Sequence, residues 1–243
     1  MNTVNQNDYL LKLENLSIAF DDPKTGHSIQ LTDEVSFGVK PGEVFGLVGE
    51  SGCGKTVSSL AILRLLPLPI LRIAGGQILY KDKDLKQATN SEMRKLRGNQ
   101  IGIIFQEPAA ALNPLYTIEK QLLEIFNYHP FDGDPVARIH KLLERTGIAD
   151  PPRVLKSYPH ELSGGMLQRV MITLSLIFDP QLLIADEPTT ALDVTVQAQI
   201  MALVKELQRE KKMAVLLITH NMGLIAQYAD RVAVMYAGRI VEE

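Results

Sequence analysis

Eight residues, from Gly49 to Thr56, have the types and spacing of a loop that binds phosphate groups. They read Gly-Glu-Ser-Gly-Cys-Gly-Lys-Thr and fit the pattern G-x-x-x-x-G-K-[ST]. Glycines let backbone N–H groups point at phosphate oxygens, and the positive end of a following helix adds to their field. The Lys55 ammonium can reach the β- and γ-phosphates, and the Thr56 hydroxyl can bind Mg²⁺. The loop therefore predicts a nucleoside triphosphate bound together with Mg²⁺.

Two acids, Asp186 and Glu187, directly follow the apolar segment Leu182–Ala185. Side chains that end a strand of a doubly wound sheet face its ligand crevice. Asp186 is suited to hold Mg²⁺ through water, and Glu187 is placed to polarise the attacking water or accept its proton. Two acids after a strand are often only a solvated turn. The phosphate-binding loop in the same chain favours the catalytic interpretation.

Three further polar features accompany the loop and the acids. Ser163-Gly164-Gly165 opens a helical pattern and is a second helix start that can bind an anion. Gln106 ends one apolar run, and His220 ends another, where its imidazole could reach a terminal phosphate. One domain gains little from two phosphate-binding helix starts unless they serve different composite sites. Head-to-tail pairing of two such domains would use both.

The secondary-structure elements around these residues alternate between strands and helices. Short apolar runs separated by turn residues predict several strands between Tyr9 and Glu50, and helical spacing follows from Lys55 to the break at Pro67. From Gly164 onward the pattern alternates helix and strand and ends in a hairpin. This order predicts an α/β fold with a parallel sheet and helices on both faces.

One segment interrupts the alternation. Residues 107–163 carry helical patterns, no convincing strand and several breaks, among them Pro151 and Pro152. We interpret 107–163 as an inserted α-helical subdomain leading to Ser163. Residues 1–106 and 164–243 are then the nucleotide-binding α/β core with an N-terminal β subdomain.

Composition places the chain among ordinary globular proteins. It has 243 residues, of which 46% are hydrophobic and 22% charged, and this excludes disordered, collagen-like and disulfide-scaffold proteins. The net charge is −3 and the basic residues are scattered, so nucleic acid is not expected as a ligand. The single cysteine, Cys53, permits no internal disulfide. Neither a secretory signal nor a membrane-spanning segment is expected.

Together these motifs resemble the ATP-binding cassette (ABC) family over essentially the whole chain. The matching segments are, in order, Gly49–Thr56, Gln106, Leu162–Gln168, Leu182–Glu187, Ala191–Asp193 and His220. ESGCGKT, YPHELSGGMLQRVMI and ADEPTTALDVTVQAQI are similar to the dipeptide, oligopeptide and nickel importer branch, and most of all to its D-type ATPase subunit. The resemblance implies a P-loop NTPase (RecA-like) core with an antiparallel β subdomain and an inserted α-helical subdomain.

The resemblance also implies an activity. Family members hydrolyse ATP at a head-to-tail dimer interface and couple this to uptake of a solute, here peptides or a related solute such as nickel, through a separate membrane permease. ATP and Mg²⁺ are the implied cofactors. The implied partners are permease subunits, a second ATPase subunit that is identical or of the related F-type, and indirectly an extracytoplasmic solute-binding protein. The expected location is peripheral, on the cytoplasmic side of a bacterial inner membrane.

Residues that match the family motifs take their implied roles from it. Those implied in catalysis are Glu187, His220, Lys55 and Gln106. Those implied in nucleotide binding are Phe20, which would stack on adenine, then Gly49, Glu50, Ser51, Gly52, Cys53, Gly54, Lys55, Thr56 and Val57, and finally Gln168 together with Ser163, Gly164 and Gly165 acting from the partner subunit. Thr56, Gln106 and Asp186 would bind Mg²⁺, and Asp193 would link the two sites across the dimer interface.

Several residues keep two interpretations. Phe20 can instead be a core residue at a strand end. Cys53 is either a small residue that fits the loop or a thiol whose alkylation or oxidation blocks nucleotide binding. Residues Glu107–Thr117 are candidates for permease docking and could equally be a loop between subdomains. Asn221 stands where the family commonly has Asp after the histidine, which removes a charge beside His220.

Two other functions compete with the importer ATPase. A soluble cassette ATPase acting on DNA or ribosomes would carry a long coiled coil or two ATPase units in one chain, and the sequence shows neither heptads nor a second unit. A small P-loop kinase would leave the helix start at Ser163 unexplained.

Overall fold

The computed structural model describes residues 8–189 and 192–243. Ala191, part of one family-matching segment, lies outside the described residues. The chain divides into two compact units, one formed by Met1–Met93 with Lys212–Glu243 and the other by Arg94–Lys211. The segment 107–163 lies within the second unit.

Strands and helices alternate as expected, which confirms the α/β class. The strands are β1 (Leu11–Asp21), β2 (Ser28–Val39), β3 (Val44–Val48), β4 (Leu71–Tyr80), β5 (Lys83–Asp84), β6 (Ile101–Ile104), β7 (Leu182–Asp186), β8 (Ala214–Thr219), β9 (Arg231–Tyr236) and β10 (Arg239–Glu242). The helices are α1 (Lys55–Ile62), α2 (Asn90–Leu96), α3 (Pro108–Ala111), α4 (Ile118–Glu124), α5 (Pro135–Arg145), α6 (Pro151–Lys156), α7 (Gly164–Leu176), α8 (Val194–Lys211) and α9 (Met222–Tyr228). In the described ranges, no helix is long and apolar enough to cross a bilayer.

The first unit contains two sheets. One is antiparallel with the strand order β2-β1-β4-β5. In the other, β3 lies parallel to β8 on one side and to β9 on the other, and β10 adds an antiparallel edge to β9. Every residue of β3 and β8 is buried, which explains why both read as continuous apolar runs.

The second unit combines a parallel strand pair with helices. β6 and β7 run parallel, with Ile101 opposite Leu182 and Ile104 opposite Ala185. Helices α4 to α7 share one apolar cluster, whose buried members include Ile118, Leu122, Ile139, Leu143, Val154, Val170 and Met171. This shared core is the physical reason why a segment without strands folds at all.

Two helix boundaries differ from the predicted ones. Arg64 adopts the left-handed conformation at φ +52°, and its N–H and that of Leu65 bond back to Ala61 and Leu60, so α1 ends before Pro67. Pro151, expected as a break, is instead the first residue of α6, with the Asp150 side chain accepting the Arg153 N–H at 3.2 Å. Proline is tolerated in a first helical turn because that N–H has no partner within the helix.

Candidate functional site

The phosphate-binding loop, Gly49–Thr56, connects buried β3 to α1. Gly52 and Gly54 have φ values of +81° and +110°, where residues with a side chain are strained. A Cβ at Gly49 would overlap the Met235 carbonyl oxygen of β9 and lie 2.7 Å from Cys53 Sγ. The glycines at these three positions are therefore required by backbone conformation and close approach.

The Lys55 side chain folds back over the preceding residues of the phosphate-binding loop. Its side chain is buried, at 5% exposure, and Nζ donates to the carbonyl oxygens of Gly49 at 2.8 Å and Glu50 at 2.7 Å. Nζ also lies 3.6 Å from Cys53 Sγ. The loop thus encloses a fixed positive charge, which together with the start of α1 favours an anion.

Residues distant in sequence contact Cys53 and Gly54 of the phosphate-binding loop. The Gly238 N–H donates to the Cys53 carbonyl at 3.1 Å, and a Cβ at Gly54 would lie 2.7 Å from Met235 Cε and 2.8 Å from Thr32 Cγ2. The sequence interpretation missed Gly238, Met235 and Thr32, because no local pattern connects them to the loop. Cys53 itself is buried.

His220 emerges beside the phosphate-binding loop. β3 and β8 are parallel with Val48 opposite Thr219, so the residues that follow them, Gly49 and His220, leave the sheet at the same end. Asn221 Oδ1 accepts the N–H groups of Gly223 at 2.9 Å and Leu224 at 3.3 Å and caps α9. An amide performs this capping as well as a carboxylate does, which accounts for Asn at this position.

In the second unit, Gln106, Asp186 and Glu187 lie at the carboxyl end of the parallel strand pair β6 and β7. Ile104 lies opposite Ala185 in the parallel pair, so the residues after β6 and those at the end of β7 are at the same end. Asp186 is 3% exposed and Glu187 9% exposed, whereas Gln106 is exposed. Glu187 has φ +47°, a left-handed conformation that is uncommon for a residue with a side chain and recurs at functional sites.

The serine-glycine turn, Ser163–Gly165, begins the 13-residue helix α7. Ser163 Oγ accepts the Met166 N–H at 3.4 Å, and Ser163 and Gly164 are exposed. Gln168 differs from its neighbours, since its side chain is 3% exposed and its Nε2 has no hydrogen-bond partner among the described residues. The accessible part of this helix start is therefore the serine and the first glycine.

The structure places Asp193 at the start of a helix and Phe20 near the end of a strand. Asp193 is exposed, and its Oδ1 accepts the N–H groups of Thr195 and Val196 at 3.0 Å each, which caps α8. Phe20 is half-buried near the end of β1, opposite Ile29 of β2 and Leu71 of β4. A half-buried ring has a face available for stacking, and it also contributes to packing between strands.

The two units thus hold separate groups of the expected residues. The first contains the phosphate-binding loop with Val57, Lys55, His220 and Phe20, and the second contains Gln106, Asp186, Glu187, the serine-glycine turn and Asp193. Each group lies at strand ends or helix starts, where backbone N–H groups and side chains are accessible to a ligand.

Known proteins are similar in sequence to this chain over nearly its whole length. The chain is 49% identical over 235 residues to the dipeptide transport ATP-binding protein DppD of Bacillus subtilis, which covers 96% of this chain and 70% of that protein. It is 50% identical over 235 residues to the peptidoglycan transport ATP-binding protein YejF of Agrobacterium fabrum, covering 96% of this chain and 43% of that protein. The chain thus spans less than half the length of this second relative.

Solved structures share the fold. The dimeric bacterial ABC transporter cassette MJ0796 is 26% identical and superposes with a TM-score of 0.84 over 96% of this chain and 97% of that chain. The same cassette is known in a dimeric post-hydrolysis state bound to ADP and Pi, and there the TM-score is 0.83. The profile of the ABC transporter family matches residues 32–190. These similarities confirm the predicted family, its peptide-importer branch and its P-loop fold, and the chain belongs to the ABC transporter family as an ATP-binding cassette ATPase.

Proposed function

We propose that this chain is the ATP-hydrolysing subunit of an ABC importer that takes up peptides or a related solute. Its activity would be conversion of ATP and water to ADP and phosphate at the interface of a head-to-tail dimer. The observation that carries the proposal is the parallel register of β3 and β8, which brings His220 to the end of the sheet where the loop encloses the Lys55 ammonium. Such an edge binds and polarises a triphosphate.

Catalysis would consist mainly of positioning and charge neutralisation. Lys55 and His220 would contact phosphate oxygens, and Glu187 would polarise the attacking water. The low exposure of Glu187 supports this role, because a carboxylate shielded from bulk water interacts more strongly with a nearby reactant. The role of the left-handed backbone at Glu187 would be to aim that carboxylate.

Mg²⁺ fits the donor atoms that these segments offer. The Thr56 hydroxyl, the Asp186 carboxylate and the Gln106 amide oxygen are hard oxygen donors, which Mg²⁺ prefers. When bound with ATP, the ion would neutralise charge that develops on the phosphate groups. Thr56, Gln106 and Asp186 would hold the ion, with Asp186 acting through water.

The remaining site residues would act at the dimer interface. The exposed turn formed by Ser163 and Gly164 would meet the γ-phosphate of ATP held by the partner subunit, since a helix start stabilises an anion. Asp193, exposed at the start of α8, would connect the two composite sites. The accessible face of Phe20 would stack on adenine. The relationship to MJ0796, whose cassettes form dimers, supports this arrangement.

The transport role follows from the relatives' names. DppD of Bacillus subtilis carries dipeptide transport in its name, and OppD of the same organism, 47% identical over 236 residues, carries oligopeptide transport. We propose permease subunits, a second ATPase subunit and, indirectly, a solute-binding protein as partners, with the chain on the cytoplasmic face of the membrane. Within Glu107–Thr117, the candidate docking segment, Leu115 is 78% exposed, as expected of a side chain that a partner covers.

The test is ATP hydrolysis measured against protein concentration for the wild type and for Glu187→Gln, combined with size-exclusion chromatography in ATP and Mg²⁺. We expect a rate that rises faster than linearly, a loss of kcat of about 100-fold or more in the variant, and an ATP-dependent dimer of the variant. The matched control is Glu144→Gln, which removes an exposed carboxylate of α5 and should leave the rate unchanged.

The opposite result is equally specific. A rate proportional to concentration and unaffected by Glu187→Gln, from a protein that stays monomeric in ATP and Mg²⁺, would contradict hydrolysis by a dimer of identical chains. Repeating the assay with a purified related subunit would then distinguish a heterodimer from a different reaction.

A further inference from the structure

Arg169 connects the helix that begins at the serine-glycine turn to two other elements of its unit. It is the sixth residue of α7, one helical turn after Gly165. Its Nη1 donates to the Thr146 carbonyl oxygen at the end of α5, and its Nη2 donates to Gln199 Oε1 of α8 at 2.8 Å. One guanidinium therefore links α5, α7 and α8.

The α5 acceptor is fixed by the way that this helix ends. Gly147 has φ +81°, and its N–H and that of Ile148 bond back to Glu144 and Leu143 at 2.9 Å each. This turn leaves the carbonyl of Thr146, the capping residue that follows α5, directed out of the helix, where the negative end of the helix dipole attracts a cation. A Cβ at Gly147 would overlap Arg169 Nη1, so the turn has no space for a side chain.

The α8 acceptor lies on the face of α8 that approaches the serine-glycine turn. A Cβ at Gly165 would lie 3.3 Å from Val196 Cγ1, and Val196 is three residues before Gln199 on the same helix face. The same first turn of α8 is capped by Asp193. The contact between Arg169 and Gln199 therefore extends a close approach between the starts of α7 and α8.

We propose that Arg169 is a positioning residue that holds the serine-glycine turn and Asp193 in one fixed arrangement for the partner subunit. This rests on the proposed function, in which both segments act across a dimer interface. Arg169 suits the task because its planar fork donates two hydrogen bonds in fixed directions to two neutral oxygens, whereas a lysine ammonium on a flexible chain fixes no such pair. The guanidinium binds no nucleotide itself.

Nucleotide binding by a single subunit and ATP-dependent dimerisation should respond differently to a change at Arg169. Nucleotide binding to a single subunit uses the phosphate-binding loop of the other unit, so it should not depend on Arg169. ATP-dependent dimerisation and kcat depend on the serine-glycine turn and Asp193, so both should depend on Arg169. A merely structural role would instead lower all of these in proportion to the loss of folded protein.

The experiment compares Arg169→Gln and Arg169→Lys with the wild type, each alone and combined with Glu187→Gln. We expect unchanged affinity for a fluorescent ATP analogue, about tenfold weaker ATP-dependent dimerisation and about tenfold lower kcat for Arg169→Gln, since two hydrogen bonds from a charged donor are lost. Arg169→Lys should recover part of both losses. Amide exchange in the free subunit should accelerate at residues 163–168 and 193–197 in Arg169→Gln, with the phosphate-binding loop unaffected.

Two milder variants keep the proposal testable should Arg169→Gln fold poorly. Gln199→Ala removes one acceptor from an exposed position and should reproduce part of the loss, with Gln227→Ala, an exposed glutamine of α9, as its control. Gly147→Ala displaces the guanidinium without altering it. Its control is Gly98→Ala, which carries similar strain at φ +74° but has only an ordinary contact, 3.7 Å from His129 Nε2.

The outcomes are distinct. If wild-type protein neither hydrolyses ATP nor dimerises, either alone or with a purified related subunit, the proposed function fails, while the exchange measurement still decides whether Arg169 fixes the turn. Unchanged exchange, dimerisation and kcat in Arg169→Gln and Gln199→Ala would overturn the inference. It would also be overturned by a loss of ATP-analogue affinity equal to the loss of dimerisation.

Discussion

Thr32 forms hydrogen bonds within the antiparallel sheet and also packs against Gly54 of the phosphate-binding loop. Its side chain is fully buried, at 0% exposure, and lies opposite Ile18, where the register of β1 shifts. Thr32 Oγ1 accepts the Ile18 N–H at 2.9 Å and donates to the Leu16 carbonyl at 3.3 Å. At this bulge a hydroxyl replaces the backbone partner that a regular strand pair would supply.

Replacing Thr32 by valine keeps the shape and removes the hydroxyl. The Ile18 N–H would then be buried without its acceptor, which costs about 1 to 3 kcal/mol of the free energy of unfolding. Valine keeps the Cγ2 methyl of threonine, which is the atom nearest Gly54, so this contact is retained and affinity for ATP should not change at temperatures where the protein is folded. Thr32→Ser is the matched control, since it keeps the hydroxyl and loses one methyl at a cost of about 1 kcal/mol.

The primary measurement is amide exchange at Ile18, followed by urea denaturation. The chain forms two compact units, so a single unfolding midpoint does not report on the first unit alone, whereas the Ile18 amide does. We expect Thr32→Val to lose more protection at this amide than Thr32→Ser. Wild-type protection in Thr32→Val, or greater destabilisation by Thr32→Ser than by Thr32→Val, would contradict this prediction.

Two further predictions concern buried polar side chains. Burial lowers the pKa of His129, and this effect outweighs a hydrogen bond with the Arg97 backbone that would raise it. The unfolded residue takes up a proton near pH 6.5. The free energy of unfolding should therefore be constant above that pH and fall as the pH drops below it. His129→Gln should reduce this loss between pH 7.5 and 5.5 in thermal melts, and the exposed His160→Gln should not. The Tyr80 hydroxyl has no hydrogen-bond partner in the described part of the chain, and burial raises its pKa to about 12; Tyr80→Phe should therefore unfold in urea with equal or up to about 1 kcal/mol greater stability, and a clear loss would show a partner for the hydroxyl.

Local patterns in the sequence predicted most of the architecture. The apolar runs that became β3, β7 and β8 are recognisable because a strand buried on both faces excludes polar residues. The phosphate-binding loop and the serine-glycine turn are equally local, since their glycines and helix starts are consecutive residues. Pro151 shows where such patterns mislead: a proline ends a helix or begins one depending on the residue before it, and Asp150 is the capping residue that indicates the beginning.

Residues that support the site from a distance required the tertiary structure. Nothing near Gly49 in sequence indicates that Met235 closes the space behind it, or that the Thr32 methyl lies below Gly54. Strand register decides these contacts, and it depends on pairing between segments far apart in the chain.

Residue types at short spacing were sufficient to predict the family, the fold class and the segments that carry phosphate-binding chemistry. Tertiary packing was needed to show that Gln168 is buried while Ser163 is exposed, and that Arg169 joins α7 to α5 and α8. The physical reason is that spacing fixes local backbone geometry, whereas burial and hydrogen-bond partners depend on which distant element packs against each face.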